Sequence, residues 1–388
     1  MDANSKPTKL TLLMVSSLTI MSMLTISASL PDMAIDFKDH PNGEGLVKMA
    51  LSFPALFIAL SAMVAGPIID RFGRLKLLGP ILLIYAFAGS SGYWLQDLYL
   101  ILAGRALLGI CVGFTMTIAT TLIADYYQGK ARQQFAGIQI AFMSLAGIVF
   151  VTLGGVLADM NWRIPFLIYV TSLAVLPLAY MFLREPVHEA HEKHAGHIAA
   201  KSPQIIWFVF FNVMLMWIVF FIIPIQIPFH LKDIGMESNT AIGLVIASST
   251  FFSAVSSFSF GKLKGKFDFP QIFAMGYSLM AIAYVCIAYG DTLPFVMLGM
   301  LFSGLGMGLL IPNANVWVMQ LAPVEIRGRE IGRLTTFWFL GQFLSPIILL
   351  PLLKIFNHQQ MFNALAGILL LMVLVFVGIR NKTKVYTD

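Results

Sequence analysis

Few of these residues can do ionic or acid–base chemistry, and most of those that can sit in short turns. Between two long apolar runs the chain reads Gly66-Pro-Ile-Ile-Asp70-Arg71-Phe-Gly73-Arg74-Leu-Lys76. One carboxylate among three cations suits ion pairing and helix capping, not bond cleavage. Asp70 can accept hydrogen bonds at the start of another helix, where free N–H groups and the dipole favour an anion. Gly73 can take a left-handed turn, and Gly66 would let two helices approach closely. A second rare anion, Asp125, ends the fourth apolar run, and Arg105 lies inside that same run. A cation within a membrane helix is expensive and is functional by default; the alternative is an arginine that snorkels to the surface. Asp32 follows the hydroxyl-rich stretch Thr19, Ser22, Thr25, Ser27 and Ser29. Burial there would raise its pKa and let it carry a proton; a solvated loop acid is the other reading. The second half offers Asn212, Trp217, Gln226, Asn313, Asn315, Trp338 and Gln342. Buried amides face partners or a water-filled cavity, and some simply bond neighbouring helices.

The elements that must position these groups follow from composition. The chain is 58% hydrophobic and 11% charged, against roughly 25% charged in a soluble domain. That leaves too little polar surface for a soluble fold. Runs of about 20 apolar residues point to helices and not to the shorter, alternating strands of a barrel. Twelve such runs are expected near 10–30, 47–67, 76–96, 98–122, 134–158, 164–183, 204–229, 241–261, 270–290, 293–320, 331–353 and 360–380. The expected class is an all-α membrane protein of twelve transmembrane helices. The first run is read as a retained helix, because no small-residue cleavage site follows it. Cys111 and Cys286 fall within apolar runs, which argues against a disulfide framework.

The net charge of +6 is not a nucleic-acid footprint, because the cations cluster in alternate loops. Of 25 Lys and Arg, 19 fall on one side, 5 (Lys38, Lys48, Arg163, Lys232 and Lys354) on the other, and Arg105 within a helix. The bias places both termini in the cytoplasm, and the compact loops suggest a bacterial inner membrane. A polar segment, 184–203, separates a bundle at 1–183 from one at 204–388. A shift of 195 residues maps Gly66 onto Gly261, Gly109 onto Gly304, Gly113 onto Gly308, Arg132 onto Arg327 and Gly137 onto Gly332. The two six-helix bundles are therefore expected to be pseudo-symmetric. In the second copy of the basic turn, Gly261-Lys-Leu-Lys-Gly-Lys266, Gly265 stands where Asp70 does.

The turn at 66–76 resembles the signature loop G-x-x-x-D-R-x-G-R-x-K of the major facilitator superfamily, with every fixed position present. That resemblance implies the major facilitator fold and a secondary transporter working by alternating access about a midplane site. It implies that Asp70, Arg71, Gly73 and Arg74 form a cytoplasmic gate. In it Asp70 would meet the start of the eleventh helix, and Arg74 would pair with Asp125. The bland alternative is that these charges only fix orientation. Pro323-Val-Glu-Ile-Arg327-Gly328-Arg-Glu-Ile-Gly332 resembles the family's P-x-x-x-R-G-x-x-x-G turn, and gives Arg327 a structural and gating part. Leu102-Ala-Gly-Arg105-Ala-Leu-Leu-Gly109 is similar to the family's fourth-helix motif. In proton-coupled members the matching arginine faces the central cavity, and it influences proton coupling or binds an anionic group. Asn161-Trp-Arg-Ile-Pro-Phe166 resembles the entry into the sixth helix. The fifth helix departs from the drug–proton antiporter pattern G-x-x-x-G-P-x-x-G-G. Gly154 and Gly155 remain, but Phe150-Val151 replaces Gly-Pro.

The expected function is proton-coupled export of a small amphipathic organic compound, with proton-coupled uptake of a small solute or metal chelate as the alternative. The partners implied are a small-molecule substrate, protons and the lipid bilayer. No cofactor, metal or nucleic acid is implied, and a monomer suffices. A membrane enzyme would need a His, Cys or carboxylate constellation at one depth, and no P-loop pattern is present. A channel would not need the signature loop. His188, His191, His194 and His197, spaced by three, could bind Zn or Ni on a helix; a solvated linker is the other reading.

Overall fold

The computed structural model describes residues 5–185, 202–323 and 326–383. Among them the regular elements are all helical. Twelve stretches are long and apolar enough to cross a membrane. In a bilayer each backbone N–H and C=O must be satisfied within the protein, which a helix does by itself. The chain divides into two compact units, Met1–Ala199 and Ala200–Asp388.

In unit 1, α1 (Lys6–Leu24) and α2 (Leu30–Asp36) form the first span around a short 3-10 turn, Ser27–Ser29. Then follow α3 (Gly43–Phe72), α4 (Arg74–Trp94), α5 (Leu98–Tyr126) and α6 (Gly129–Met160). The sixth span enters as a 3-10 segment, Ile164–Thr171, and continues as α7 (Ser172–Phe182). Unit 2 holds α8 (Ile205–Asp233), α9 (Asn239–Lys264), α10 (Phe269–Ala288), α11 (Leu293–Leu321), α12 (Arg327–Ile355) and α13 (His358–Thr383). The expected runs thus fall on the observed spans, with ends moved by a few residues. The largest change is at the first, whose helical structure runs on to Asp36. Lys48, counted with the outer-side cations at the start of the second run, is fully buried within α3 and bonds Glu44 one turn earlier. The His tract, 188–197, lies outside the described residues.

Close packing repeats between the units. A Cβ at Gly109 of α5 would meet the Pro54 carbonyl and Phe57 Cβ of α3. At Gly304 of α11 it would meet the Ser249 carbonyl and Phe252 Cβ of α9. The next turns repeat this, with Gly113 on Ser61 and Ile58, and Gly308 on Ser256 and Ser253. Each of these pairs is separated by the same 195 residues. Helices in lipid gain little from hydrophobic burial against one another, so glycine interfaces that let backbones touch carry the association. Gly66 does not take part. No atom lies within 4 Å of where its Cβ would stand, so the expected close approach at Gly66 is absent among the described residues.

Tyrosines on the third span of each unit tie it to the first span. Tyr85 of α4 donates to the Leu18 carbonyl at 2.7 Å. Tyr277 of α10 donates to Asn212 Oδ1 at 2.6 Å, and Tyr284 donates to the Val219 carbonyl. At the far end of unit 1 from the signature turn, Trp162 Nε1 donates to Asp36 at 2.6 Å. Arg163 there reaches the Gly92 and Leu95 carbonyls and stacks over Trp162.

Candidate functional site

The signature turn is organised by backbone conformation. α3 ends at Phe72, and Gly73 takes φ 92°, ψ 149° before α4 starts at Arg74. That positive φ strains any residue with a Cβ, and a Cβ would also stand 3.4 Å from the Glu185 carboxylate. Glu185 caps α4, accepting from the backbone N–H of Arg74 and of Leu75, each at 2.7 Å. A carboxylate here satisfies two orphan donors and complements the helix dipole. The Arg74 side chain is buried and its Nε lies 2.9 Å from Asp125 Oδ2. This is an ion pair by distance, while its N–H points off a hydrogen-bonding line. Arg74 also lies 3.9 Å from Glu185. One turn-forming arginine thus stands between two carboxylates, one from the end of α5 and one just past α7. Asp70 and Arg71 are exposed on the last turn of α3, with Arg71 over the Phe72 ring.

Glu185 is the member that sequence reasoning missed, since it was assigned to the polar segment 184–203. The structure ties Arg184 and Glu185 to unit 1. Tyr126 Oη donates to the Arg184 carbonyl, and the Arg184 N–H donates back to Tyr126 Oη. The available signal was position, because Glu185 lies two residues past the sixth apolar run on the basic face.

Arg105 is fully buried in α5. It does not snorkel to the surface. Its Nε donates to the Ala50 carbonyl at 2.8 Å, Nη1 to Tyr169 Oη at 2.9 Å and Nη2 to the Ser22 carbonyl at 2.9 Å. Both carbonyls are ones the helices leave free. Pro54 has no N–H for the carbonyl four residues back, at Ala50. Ser22 is in the last turn of α1, where carbonyls lack helical partners and a cation complements the dipole. Among the described residues no carboxylate pairs with Arg105. Asp32 is half-buried in the first turn of α2, directly after Pro31.

In unit 2 the seven polar and aromatic candidates separate into smaller groups. Trp217 of α8 stacks on Phe221 at 5.3 Å and lies 5.7 Å from Trp338 of α12. Gly341 makes this meeting possible, since a Cβ there would stand 2.9 Å from Trp217 Cβ. Gln342 and Ser345 follow Trp338 by one and two turns, on the same face, and both are buried. Among the described residues, the indole Nε1 atoms of Trp217 and Trp338, Gln342 Oε1 and Ser345 Oγ are buried without hydrogen-bond partners. Asn212 binds Tyr277, and Asn313 donates to the Phe269 carbonyl at 3.0 Å. Asn315 donates to the Ile311 carbonyl of its own helix. Those three tie helices or turns together. Gln226 lies near the other end of α8, against His358. Arg327, the first residue of α12, is half-buried, and its Nε has no hydrogen-bond partner among the described residues. Beside it, Glu330 is fully buried between Arg329 at 3.1 Å and Arg333 at 3.0 Å. The sequence offers only its place in the first turn as a signal.

Comparison with known proteins agrees with this arrangement. The Major Facilitator Superfamily profile matches residues 12–267 and 233–387. The bacillibactin exporter of Bacillus subtilis (strain 168) is 25% identical over 332 residues, covering 79% of this chain and 81% of that one. The multi-drug resistance efflux pump PmrA of Streptococcus pneumoniae serotype 4 is 24% identical over 330 residues, 81% of each chain. Among solved structures, a bacterial homologue of the human lysosomal transporter Spinster, inward-facing and occupied, superposes with a TM-score of 0.78. It shares 16% identity and covers 98% of each chain. With its signature turn, its repeated glycine seams and a family match spanning both units, the chain belongs to the Major Facilitator Superfamily and is a multi-pass membrane transporter.

Proposed function

We propose that this transporter exports a small amphipathic organic compound from a bacterial cell in exchange for protons, by alternating access. The observation that carries the substrate class is the α8–α12 cluster. Two indoles present flat apolar faces, and their own two Nε1 atoms, with Gln342 Oε1 and Ser345 Oγ, await partners among the described residues. A solute with an aromatic or alicyclic body and a few hydrogen-bonding groups meets both needs. A bare ion meets neither. Export is supported by relatives named as an exporter and an efflux pump along most of the chain. In this reading the Arg74–Asp125–Glu185 cluster and Asp70 belong to the cytoplasmic gate, both termini are cytoplasmic, and one chain is the working unit.

Proton-coupled uptake is the second reading, favoured by one feature. α6 runs unbroken from Gly129 to Met160, with buried Val151 where the antiporter pattern has proline. Everted vesicles with an energised proton gradient and a pH-sensitive dye decide between them. Under export, adding a transported compound collapses the gradient with wild type and not with Asp70→Asn. If no compound does so, while whole cells accumulate a labelled solute, uptake replaces export.

A further inference from the structure

Imidazole is the side chain whose charge changes between about pH 5 and 8. Unit 2 brings one histidine against a buried amide. The last two turns of α8 read Gln226-Ile-Pro-Phe-His230-Leu-Lys-Asp233, and α13 begins at His358. His358 Nε2 lies 2.9 Å from Gln226 Nε2, and His358 Nδ1 lies 3.4 Å from Asp233 Oδ2. Gln226 is fully buried and its Oε1 has no hydrogen-bond partner among the described residues. The other side is wet, with the His358 side chain 37% and that of Asp233 60% exposed. Asp233 and Glu330 are the two carboxylates within the helices of unit 2, and Glu330 lies in the first turn of α12, held by Arg329 and Arg333.

This geometry selects a tautomer. An amide NH₂ can only donate, so with the amide in this orientation His358 Nε2 carries a lone pair and Nδ1, 3.4 Å from Asp233 Oδ2, carries the hydrogen. A proton added at Nε2 reverses the demand. Nε2–H would then face an amide N–H, and the Gln226 amide must turn over so that Oε1 accepts. The oxygen left without a partner in the neutral state thereby gains one. The neighbouring groups are few. His230, one turn from Gln226, is buried with Nε2 3.2 Å from the Gly290 carbonyl, and it senses His358, Asp233 and Asp291. Phe362 of α13 packs on its ring, and Tyr289 Oη lies 3.5 Å from Asn363 Nδ2.

We infer that His358 and Gln226 form a proton-binding site joining α8 to α13, at the end of unit 2 opposite the basic turn 261–266. Solvent water delivers the proton, the Nε2–H bond forms, and the amide reversal reports it to α8. Resting on the export reading above, this site takes up the driving proton. Like Trp217, Gln226 lies on α8, nine residues further along that helix.

The test is nuclear magnetic resonance of the full chain in micelles with ¹⁵N-labelled histidine, the His358 signals being identified by their loss in His358→Asn. At pH 8 the expected state is the Nδ1–H tautomer, converting on acidification to imidazolium in one step. Gln226→Met leaves Nε2–H⁺ with no acceptor, so the midpoint should fall. Gln226→Glu supplies a carboxylate, so it should rise by a pH unit or more. An Nε2–H tautomer at pH 8, or a midpoint unmoved by both variants, overturns the site. The coupling role is read separately in the everted vesicles. His358→Asn should abolish the substrate-induced collapse of the gradient, and an unchanged collapse overturns that role. If wild type itself moves no protons, the export reading fails while the resonance titration still judges the site.

Discussion

Arg105 shows how much a residue's type alone leaves open about its partners. A buried cation in a membrane helix suggests ligand or proton chemistry, yet here three donors are spent on two freed carbonyls and one phenol. Arg105→Met should leave those acceptors without donors, at roughly 1–3 kcal/mol for each orphaned buried group. The melting temperature in detergent should fall clearly, with Arg105→Lys recovering only part, since an ammonium cannot span all three directions. A melting temperature unchanged in Arg105→Met would return Arg105 to a purely functional role. Glu185 makes the complementary case. Glu185→Ala removes both acceptors from the first turn of α4, a helix-cap loss of about 0.5–2 kcal/mol. Hydrogen exchange should report it as faster exchange at the Arg74 and Leu75 amides. Pro54, which has no N–H, leaves the Ala50 carbonyl in want of a donor. That the donor would be Arg105, 55 residues on, was not visible.

At the scale of elements, the helices were legible because a bilayer leaves little choice. Runs of apolar residues of membrane length must be helical, and short basic turns must end them. Which glycines matter was less legible. Gly109 and Gly304 press on backbone carbonyls of α3 and α9, whereas Gly66, Gly137 and Gly332 have open space at Cβ. Gly109→Val and Gly304→Val should each destabilise by about 1–3 kcal/mol through overpacking, seen as lower melting temperatures and poorer yield. Gly137→Ala and Gly332→Ala should be near neutral in the same assay. Equal effects at all four positions would show that the seams do not set helix association. The 195-residue repeat was read from glycines and arginines, but its meaning is in their partners. Pro54 and Ser249, and Phe57 and Phe252, are equivalent in both number and contact.

At the scale of the molecule, orientation rests on the bias of Lys and Arg among the loops. In a background lacking Cys111 and Cys286, Gly265→Cys should react with an impermeant thiol reagent only from the cytoplasmic side. Asp291→Cys should react only from outside. Labelling of both from one side would break the assigned topology. The α8–α12 cluster belongs to this scale because its chemistry is collective. Trp217→Ala and Trp338→Ala should each weaken transport of an aromatic substrate about ten-fold, mainly through KM, if truncating each stacking face costs about 1.4 kcal/mol. A KM unmoved by both would place substrate elsewhere.

Taken alone, the sequence determined the class of the molecule, the number of its spans, its internal repeat and the place of its signature turn. Those properties follow from local hydropathy, charge and spacing, which a bilayer reads directly. The tertiary structure alone decided the partners. It set Glu185 on the start of α4, gave Arg105 to the carbonyls of Ser22 and Ala50, and split six of the seven amides and indoles into helix ties and a stacked cluster. It also joined Gln226 to His358 across 132 residues. Hydrogen bonds and ion pairs act over about 3 Å, and no local pattern fixes which distant side chain the fold brings within that reach.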